Sequence, residues 1–264
     1  MPVSVYGKDF AMIYNTHWGK WTKQRAWPFL SRTVTGKVPR ARTWLDLCCG
    51  PGWLLKYASK AGFETFGVDR SRHQLAHARR NAPAAKLFRQ DIRALSLGFR
   101  VDVITCMFDS LNYLTRKGDL LKAFRLARRH LAGSGVFVFD MNTFEGLQDT
   151  WKATSAMHAK SWTTILTSSF EDRTALGCVE ITGFVRQGKG YRKFVERHVE
   201  RGYRAAEIDD LLARAGFAFR KYDAKSLGRP RKRSPRLIYV CRTASRRPGL
   251  LKKGSGQLRS GGGF

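Results

Sequence analysis

Residues 45–53 read LDLCCGPGW, and this stretch decides the fold. Its apolar start is typical of a short strand, whose Asp46 leads into a glycine turn and then a helix. Gly50 and Gly52 permit close approach between the backbone and a ligand, because glycine has no side chain. The following helix offers the free N–H groups of its first turn. The pattern predicts a strand–turn–helix that binds a ligand.

Two further acids follow predicted strands. Asp69 ends the next strand, 17 residues after Gly52, where a carboxylate can accept both hydroxyls of a ribose. Asp91 ends the third strand, where its side chain and a backbone N–H can read an adenine edge. Dinucleotide binders need a third glycine, which the bulky residues 53–55 replace here, so we expect a ligand without a pyrophosphate. An ordinary strand–turn–helix that binds nothing is the alternative.

Strands and helices alternate around this stretch. Strands are predicted at 43–48, 63–69, 86–91, 101–109 and 135–141. Helices are predicted at 54–62, at 71–81 with Ser71 as N-cap, and at 119–135 with Gly133 as the closing residue. This alternation predicts a parallel sheet with helices on both faces.

The motifs in this region resemble those of a known family. LDLCCGPG, GVDRS, RQDI, the strand into MFDSLNYL and LAGSGVFVFD are similar to successive motifs of the class I S-adenosylmethionine (SAM)-dependent methyltransferases. The resemblance covers residues 43–141. It implies an α/β fold with a Rossmann-like, seven-stranded, mostly parallel sheet, helices on both faces and a small antiparallel β insertion. It also implies an enzyme that transfers a methyl group from SAM.

The resemblance further implies where SAM binds. The turn at 48–52 is expected to hold its amino acid portion, Asp69 its ribose, and Asp91 with Ile92 its adenine. Cys48 departs from the family, which more often has glycine there. The full expected cofactor-binding set is Tyr14, Trp21, Asp46, Cys48, Gly50, Gly52, Asp69, Arg70, Asp91, Ile92 and Met107.

The fourth motif, FDSLNYL at 108–114, narrows the methyl acceptor. It lacks the tetrapeptide Asp/Asn-Pro-Pro-Tyr/Phe, which many enzymes that methylate the exocyclic amines of nucleic acid bases contain. It also lacks the Pro-Cys pair whose cysteine is the nucleophile in enzymes that methylate C5 of cytosine. It is more similar to methyltransferases that modify N or O of a small molecule. We expect Asp109 and Tyr113 to be catalytic and Asn112 to bind substrate, at the carboxyl end of the fourth strand. Alternatively, Asn112 and Tyr113 only cap and pack the following helix.

The string YRKFVERHVERGY (191–203) is the second candidate region for the acceptor. In a strand its residues divide between two faces, with Glu196, His198 and Glu200 on one and Arg197, Arg201 and Tyr203 on the other. His198, oriented by a carboxylate, is a candidate general base. Glu196, Arg201 and Tyr203 are candidate substrate-binding residues. An exposed strand with alternating charges is the alternative.

The chain divides into regions of different composition. Residues 161–204 alternate with period two, which predicts two or three antiparallel strands, and a helix ending at Gly216 follows them. We expect an aromatic helical lid at 1–42, a SAM-binding core at 43–150, a β insertion over the acceptor pocket at 151–204, a closing helix and strand pair at 205–241, and a basic disordered tail at 242–264.

The aromatic N-terminal region has two interpretations. Tyr6, Tyr14, Trp18 and Trp21 either form a lid whose rings face the sulfonium and exclude water, or pack against the edge of the sheet. The family resemblance favours the lid for Tyr14.

Charge is the unusual bulk property, at +29, with twelve Lys and Arg residues and no acid after Asp223. Such a field attracts nucleic acid, anionic membranes or acidic small molecules, but a solvated basic surface produced by compositional bias is the favoured explanation. The leading hypothesis is methyl transfer to a small molecule. Methylation of RNA or of an RNA-associated protein, and a non-catalytic SAM- or nucleic-acid-binding module, are the alternatives.

The remaining composition bears on location and partners. There is no apolar run of transmembrane length and no secretion signal, and the five cysteines form no zinc-type cluster. We therefore expect a cytoplasmic protein with free thiols, no metal, no membrane partner, possible nucleic-acid contact through the tail, and a monomeric or homodimeric state.

Overall fold

A computed structural model of the chain describes residues 5–244, without the side chains of Trp18, Lys20, Trp21 and Thr35. Of the predicted tail, residues 245–264 lie outside the described part. The helices of the described residues are α1 (Lys8–Trp21), α2 (Trp27–Lys37), α3 (Trp53–Lys60), α4 (Arg72–Asn81), α5 (Lys117–His130), α6 (Phe144–Thr150) and α7 (Ala205–Arg214). None of these helices is long and apolar enough to cross a membrane.

The strands form two sheets. They are β1 (Thr43–Leu47), β2 (Glu64–Asp69), β3 (Lys86–Arg89), β4 (Val101–Cys106), β5 (Leu131–Asn142), β6 (Thr154–Ala159), β7 (Trp162–Glu171), β8 (Leu176–Gln187), β9 (Gly190–Arg201), β10 (Phe217–Asp223) and β11 (Arg236–Thr243). The larger sheet has seven strands in the order β3-β2-β1-β4-β5-β11-β10, and β11 runs antiparallel to both neighbours. The predicted seven-stranded, mostly parallel sheet is therefore confirmed.

The strand order places a cleft beside the glycine turn. The chain moves outward from β1 to β2 and β3, then returns to the other side of β1 with β4. Ligands bind at such a reversal, outside the carboxyl ends of the strands, because the connections there leave in opposite directions. LDLCCGPGW supplies both β1 and the turn at this point.

Alternating strand residues bury both faces of the sheet. On one face Leu45 and Phe139 pack with Phe124 of α5, and Leu212 of α7 belongs to the same cluster. On the other face the neighbouring residues Trp44 and Val138 pack in a cluster with residues of α2 and α3. Two-sided burial explains why these strands are continuously apolar, and it confirms the predicted helices on both faces.

The β insertion is larger than predicted. It is a four-stranded antiparallel sheet in the order β6-β7-β8-β9, whereas the sequence predicted two or three strands. The missed strand, β6, is almost entirely exposed, so its sequence lacks the apolar alternation that marks a half-buried strand.

Two predicted boundaries were wrong. The helix predicted to 135 ends at His130, because Leu131 turns to an extended conformation and pairs with Val101, so Gly133 lies in β5. The strand predicted to 109 ends at Cys106, because Phe108 and Asp109 adopt positive φ angles of 63° and 51°. A left-handed backbone cannot continue a strand.

Two predicted helix termini were correct. Ser71 is the N-cap of α4, and its hydroxyl accepts a hydrogen bond of 3.3 Å from Gln74 N–H. Gly216 follows α7 with a φ of 82°, the left-handed conformation that glycine adopts most easily.

We expect Gly52→Ala to destabilise the fold. Gly52 has a φ of 76°, and a Cβ atom there would lie 2.9 Å from Cβ of Ala78 in α4. Left-handed strain and overpacking together should lower the free energy of unfolding by about 2–4 kcal/mol, measured by urea denaturation. Gly36→Ala, on the exposed part of α2 with no atom within 4 Å of the new Cβ, is the control and should be neutral or stabilising. Equal stabilities for the two variants would contradict this packing.

Candidate functional site

The turn after β1 has an unusual backbone. Cys48, Gly50 and Gly52 all have positive φ angles, of 54°, 52° and 76°. Glycine adopts this region without strain and cysteine does not, so the conformation of Cys48 must be held by its surroundings. Gly50, which has no side chain, leaves the backbone of the turn partly exposed, whereas Gly52 is buried.

Asp69 holds this turn in place. Its Oδ2 accepts a hydrogen bond of 2.9 Å from Gly50 N–H, and its Oδ1 accepts one of 2.8 Å from Ser71 N–H. Burial raises the pKa of the carboxyl group, and these backbone hydrogen bonds oppose the increase. One side chain thus joins the turn after β1 to the start of α4.

A first cavity of about 360 Å³ opens beside the turn. Its volume lies in the range of about 300–1,000 Å³ that small-molecule sites occupy. The structure brings together here the following predicted cofactor residues: Tyr14, Cys48, Gly50, Asp69, Arg70, Asp91 and Ile92. Carboxylates from two strand ends and an apolar Ile92 suit the ribose and the adenine of a nucleoside.

Three of the other predicted cofactor residues, Asp46, Gly52 and Met107, do not line the first cavity. Gly52 packs against α4, and the side chain of Trp21 lies outside the described part of the chain. Asp46 and Met107 lie beside a small adjoining space under the turn. The Asp46 carboxylate accepts a hydrogen bond of 2.6 Å from the Thr105 hydroxyl, and burial raises its pKa to about 7. Asp46 therefore lies beneath the turn and is bonded to β4.

Asp91 is held by a neighbour that the sequence did not single out. Its Oδ1 accepts from Arg93 N–H and Nε at 2.9 Å and 3.0 Å, and its Oδ2 pairs with Arg93 Nη2 at 2.6 Å. The hydrogen bonds from the Arg93 guanidinium lower the pKa of the Asp91 carboxyl group. The carboxylate is thus ionised and fixed in orientation at the cavity wall.

A second cavity of about 320 Å³ lies under the β insertion. Its polar side chains are Asp109, His198, Glu200 and Arg236, and apolar residues of β7 and β8 complete it. Strand β9 borders both spaces, because Arg197 and Val199 face the first cavity while His198 and Glu200 face the second. The two cavities share Tyr6, Tyr14 and Tyr113, so a wall of three tyrosines separates them.

A chain of hydrogen bonds connects this wall to the insertion. The Tyr113 hydroxyl lies 2.7 Å from His198 Nδ1, and His198 Nε2 lies 3.2 Å from Glu196 Oε2. Glu196 also accepts the N–H groups of Tyr6 at 2.7 Å and of Gly7 at 2.8 Å. The carboxylate of Glu196 therefore binds the N-terminal segment rather than a free space in either cavity.

The other three predicted substrate-binding residues, like Glu196, line neither cavity. Buried Asn112 donates to the carbonyl groups of Asn142 and Arg201 at 2.9 Å and 2.7 Å. The buried Tyr203 hydroxyl donates to the Leu114 carbonyl, and the Arg201 guanidinium lies 5.3 Å from the centre of the Tyr203 ring. These residues fasten the loop after β4 to the end of β9. Asn112 is thus engaged within the protein, although with β5 and β9 rather than with the following helix, whereas Tyr113 borders both cavities.

An ion-pair cluster in the second cavity was missed from the sequence. Arg236 pairs with Asp109, and its Nε lies 3.4 Å from Asp140 Oδ2 and 3.0 Å from Asn142 Oδ1. Burial raises the pKa of Asp140 to about 6. Arg236 is the last residue of the basic run RPRKRSPR, so its charge does not distinguish it from its neighbours in the sequence. Its position at the start of an apolar strand is the feature that could have identified it.

Comparisons with known proteins identify the family to which the chain belongs. A family model described as a methyltransferase domain matches residues 45–135. A dTDP-4-amino-2,3,4,6-tetradeoxy-D-glucose N,N-dimethyltransferase from Saccharopolyspora spinosa is 30% identical over 225 residues, which cover 81% of this chain and 87% of the relative. The chain belongs to the class I SAM-dependent methyltransferases.

Two further proteins are similar to this methyltransferase over most of its length. A dTDP-3-amino-3,4,6-trideoxy-alpha-D-glucopyranose N,N-dimethyltransferase from Streptomyces venezuelae is 28% identical, covering 74% of this chain and 84% of the relative. The crystal structure of a SAM-dependent methyltransferase from Clostridium acetobutylicum is 29% identical with a TM-score of 0.79, covering 89% of this chain and 98% of that one. The predicted family, fold class, enzyme activity and SAM cofactor are confirmed.

We expect Asp69→Ala to weaken SAM binding. The change removes the acceptor for Gly50 N–H and Ser71 N–H, so the glycine turn loses its support, and the cavity loses a carboxylate. Calorimetry should show a Kd for SAM raised at least tenfold, or about 1.4 kcal/mol. Glu64→Gln, at the exposed start of the same strand, is the matched control and should bind SAM normally. Wild-type affinity in Asp69→Ala would argue against this site.

Glu196→Ala should loosen the N-terminal segment over the first cavity. Both N–H groups that Glu196 accepts would lose a charged partner, and such hydrogen bonds contribute about 1.5–3 kcal/mol each. We expect amide hydrogen exchange at Tyr6 and Gly7 to rise at least about tenfold. SAM should also dissociate faster. Glu180→Ala, exposed on the neighbouring strand β8, should leave both measurements unchanged. Unaltered protection of Tyr6 and Gly7 in Glu196→Ala would rule out this anchor.

Proposed function

We propose that this methyltransferase transfers methyl groups to the amine nitrogen of a small molecule bound in the second cavity. The observation that carries the proposal is the charge of that cavity: Asp109 and Glu200 line it together with the single guanidinium of Arg236, and the buried Asp140 pairs with Arg236 behind the lining. An excess of carboxylates favours an ammonium group and disfavours a phosphate or carboxylate at the same place. The names of the two curated relatives, which describe amino sugar N,N-dimethyltransferases, support the same acceptor class.

The first cavity fits SAM. The open turn at Gly50 would hold its amino acid portion, Asp69 its ribose, and Asp91 with Ile92 its adenine. When bound there, SAM supplies a methyl group on a positively charged sulfur. The rings of Tyr6, Tyr14 and Tyr113 lie between the two cavities, where aromatic faces attract a cation and exclude water.

The chain Tyr113–His198–Glu196 would orient the acceptor. The Glu196 carboxylate can only accept a hydrogen bond, so the proton of neutral His198 lies on Nε2. His198 Nδ1 then accepts from the Tyr113 hydroxyl, and the Tyr6 hydroxyl, 3.3 Å from that of Tyr113, donates to one lone pair of the Tyr113 oxygen. The second lone pair can accept an N–H of the acceptor and align its nitrogen. Tyr113 would thus contact the acceptor directly, and His198 would act by orienting Tyr113. Asp109 would hold Arg236 in place.

The overall charge suits an acceptor that also carries phosphate. The chain has a net charge of +29, although the second cavity has an excess of carboxylates. A nucleotide-linked amino sugar combines an anionic diphosphate with a cationic amine. The positively charged surface would attract the diphosphate, and the carboxylates of the cavity would attract the amine. The β insertion at 151–204 would cover this acceptor. A cytoplasmic location also belongs to the proposal, supported by the free thiols of all five cysteines.

The direct test uses the amino sugar of the Streptomyces venezuelae relative, dTDP-3-amino-3,4,6-trideoxyglucopyranose. We expect incubation with SAM to give S-adenosylhomocysteine and products heavier by one and then two methyl groups, detected by mass spectrometry. dTDP-glucose, which has hydroxyl groups and no amine, is the control and should remain unchanged. Transfer of labelled methyl groups to an RNA or protein fraction, with none to amines, would contradict the proposal.

A further inference from the structure

Glu200 differs from the other carboxylates of the second cavity. It lies on β9, its residue is 4% exposed, and its Oε2 accepts a hydrogen bond of 3.3 Å from Asn142 Nδ2. Asp109 and Asp140 both pair with Arg236, whereas the described residues contain no cationic side chain within 4.0 Å of Glu200. Glu200 is therefore the carboxylate of this cavity that lacks a cation.

The groups around Glu200 leave its carboxylate able to accept a proton from a ligand. Asn142 Nδ2 binds Asp109 Oδ2 more closely, at 2.7 Å, and so contributes little to neutralising Glu200. His198, on the same strand, has both ring nitrogens within hydrogen-bond distance of Tyr113 and Glu196. Its Nδ1 and Nε2 are thus committed within the protein. Of the groups that line this cavity, Glu200 is the best placed to exchange a proton with an acceptor.

We propose that Glu200 is the catalytic base that removes a proton from the ammonium group of the acceptor. This inference rests on the proposed function, because only an amine acceptor arrives with such a proton. It adds a catalytic residue to those predicted from the sequence, where Glu200 was recognised only as sharing the face of His198.

The proton and electron balance is complete without another reagent. The R–NH3+ group gives one proton to the Glu200 carboxylate and becomes R–NH2 with a free lone pair. That lone pair forms the N–C bond to the methyl carbon of SAM as the C–S bond breaks, and sulfur leaves neutral. The product R–NH2+–CH3 needs a second deprotonation before a second methylation, so Glu200 must release its first proton to solvent between the two cycles.

The electrostatics of the cavity make the Glu200 carboxylate a stronger base than a glutamate in water. Burial raises the pKa of Glu200 well above its ordinary value, and the negative charges of Asp109 and Asp140 raise it further. Arg236 and Asn142 act in the opposite direction. The other titratable groups facing the cavity are His198 and the tyrosines Tyr6, Tyr14 and Tyr113. Base catalysis is most efficient when the pKa of the base lies near the working pH.

The pH dependence has a defined sign. Glu200 accepts a proton only when it is ionised, so kcat/KM should fall as the pH decreases through the raised pKa of Glu200. Glu200→Gln cannot ionise. We therefore expect this variant to lose about 100-fold in kcat/KM for the amino sugar, and to lose the acid limb that Glu200 causes.

The experiment compares wild type, Glu200→Gln, Glu200→Ala and Glu171→Gln with dTDP-3-amino-3,4,6-trideoxyglucopyranose as the probe. Glu171 is exposed at the carboxyl end of β7 and does not line the second cavity, so its variant should behave as wild type. SAM affinity, measured by calorimetry, should be equal in all four proteins, which shows that the fold and the first cavity are intact. Added formate, a small external base, should restore part of the activity of Glu200→Ala.

The outcomes separate this inference from the proposed function. A wild-type enzyme that methylates no amine overturns both. Amine methylation by wild type together with a wild-type rate in Glu200→Gln overturns only the role of Glu200. A slow Glu200→Gln variant that keeps the acid limb, with no formate rescue of Glu200→Ala, assigns Glu200 a structural role and also overturns the inference.

Discussion

The bond between Asp69 and the glycine turn is the constraint on which the site depends. The turn has three residues with positive φ, and such a backbone persists only where its surroundings hold it. Asp69 does so from the neighbouring strand, by accepting Gly50 N–H while also accepting Ser71 N–H at the start of α4. Because β1 and β2 pair in parallel, the turn and the carboxylate reach the same edge of the sheet, where the first cavity opens.

The site also requires that the first and second cavities, whose linings differ in chemistry, lie next to each other. The tyrosine wall belongs to distant parts of the chain, since Tyr6 and Tyr14 come from the N-terminal region and Tyr113 from the loop after β4. Glu196 joins these parts through Tyr6 N–H and His198. A displacement of the N-terminal segment would therefore change both cavities together, which couples closure over the cofactor to alignment of the acceptor.

The sequence was most informative where local chemistry determines structure. The strand–turn–helix, the Ser71 cap and the shared face of Glu196, His198 and Glu200 all follow from short-range periodicity and from residue type, and the structure contains them. Local patterns could not reveal Arg236. It lies 127 residues after Asp109, and its charge resembles that of its exposed neighbours until β11 pairs with β5 and buries it. Contacts that tertiary structure creates have no signature in one sequence.

The same reasoning explains why net charge was a poor guide to the acceptor. A value of +29 sums all residues equally, whereas chemistry depends on the few charges that are out of water. In the second cavity the carboxylates outnumber the guanidinium, so the local field is opposite to that of the molecule as a whole. A long-range positive field and a short-range negative pocket act on different parts of one ligand. Together they suit the proposed acceptor, which is anionic at one end and carries a basic nitrogen at the other.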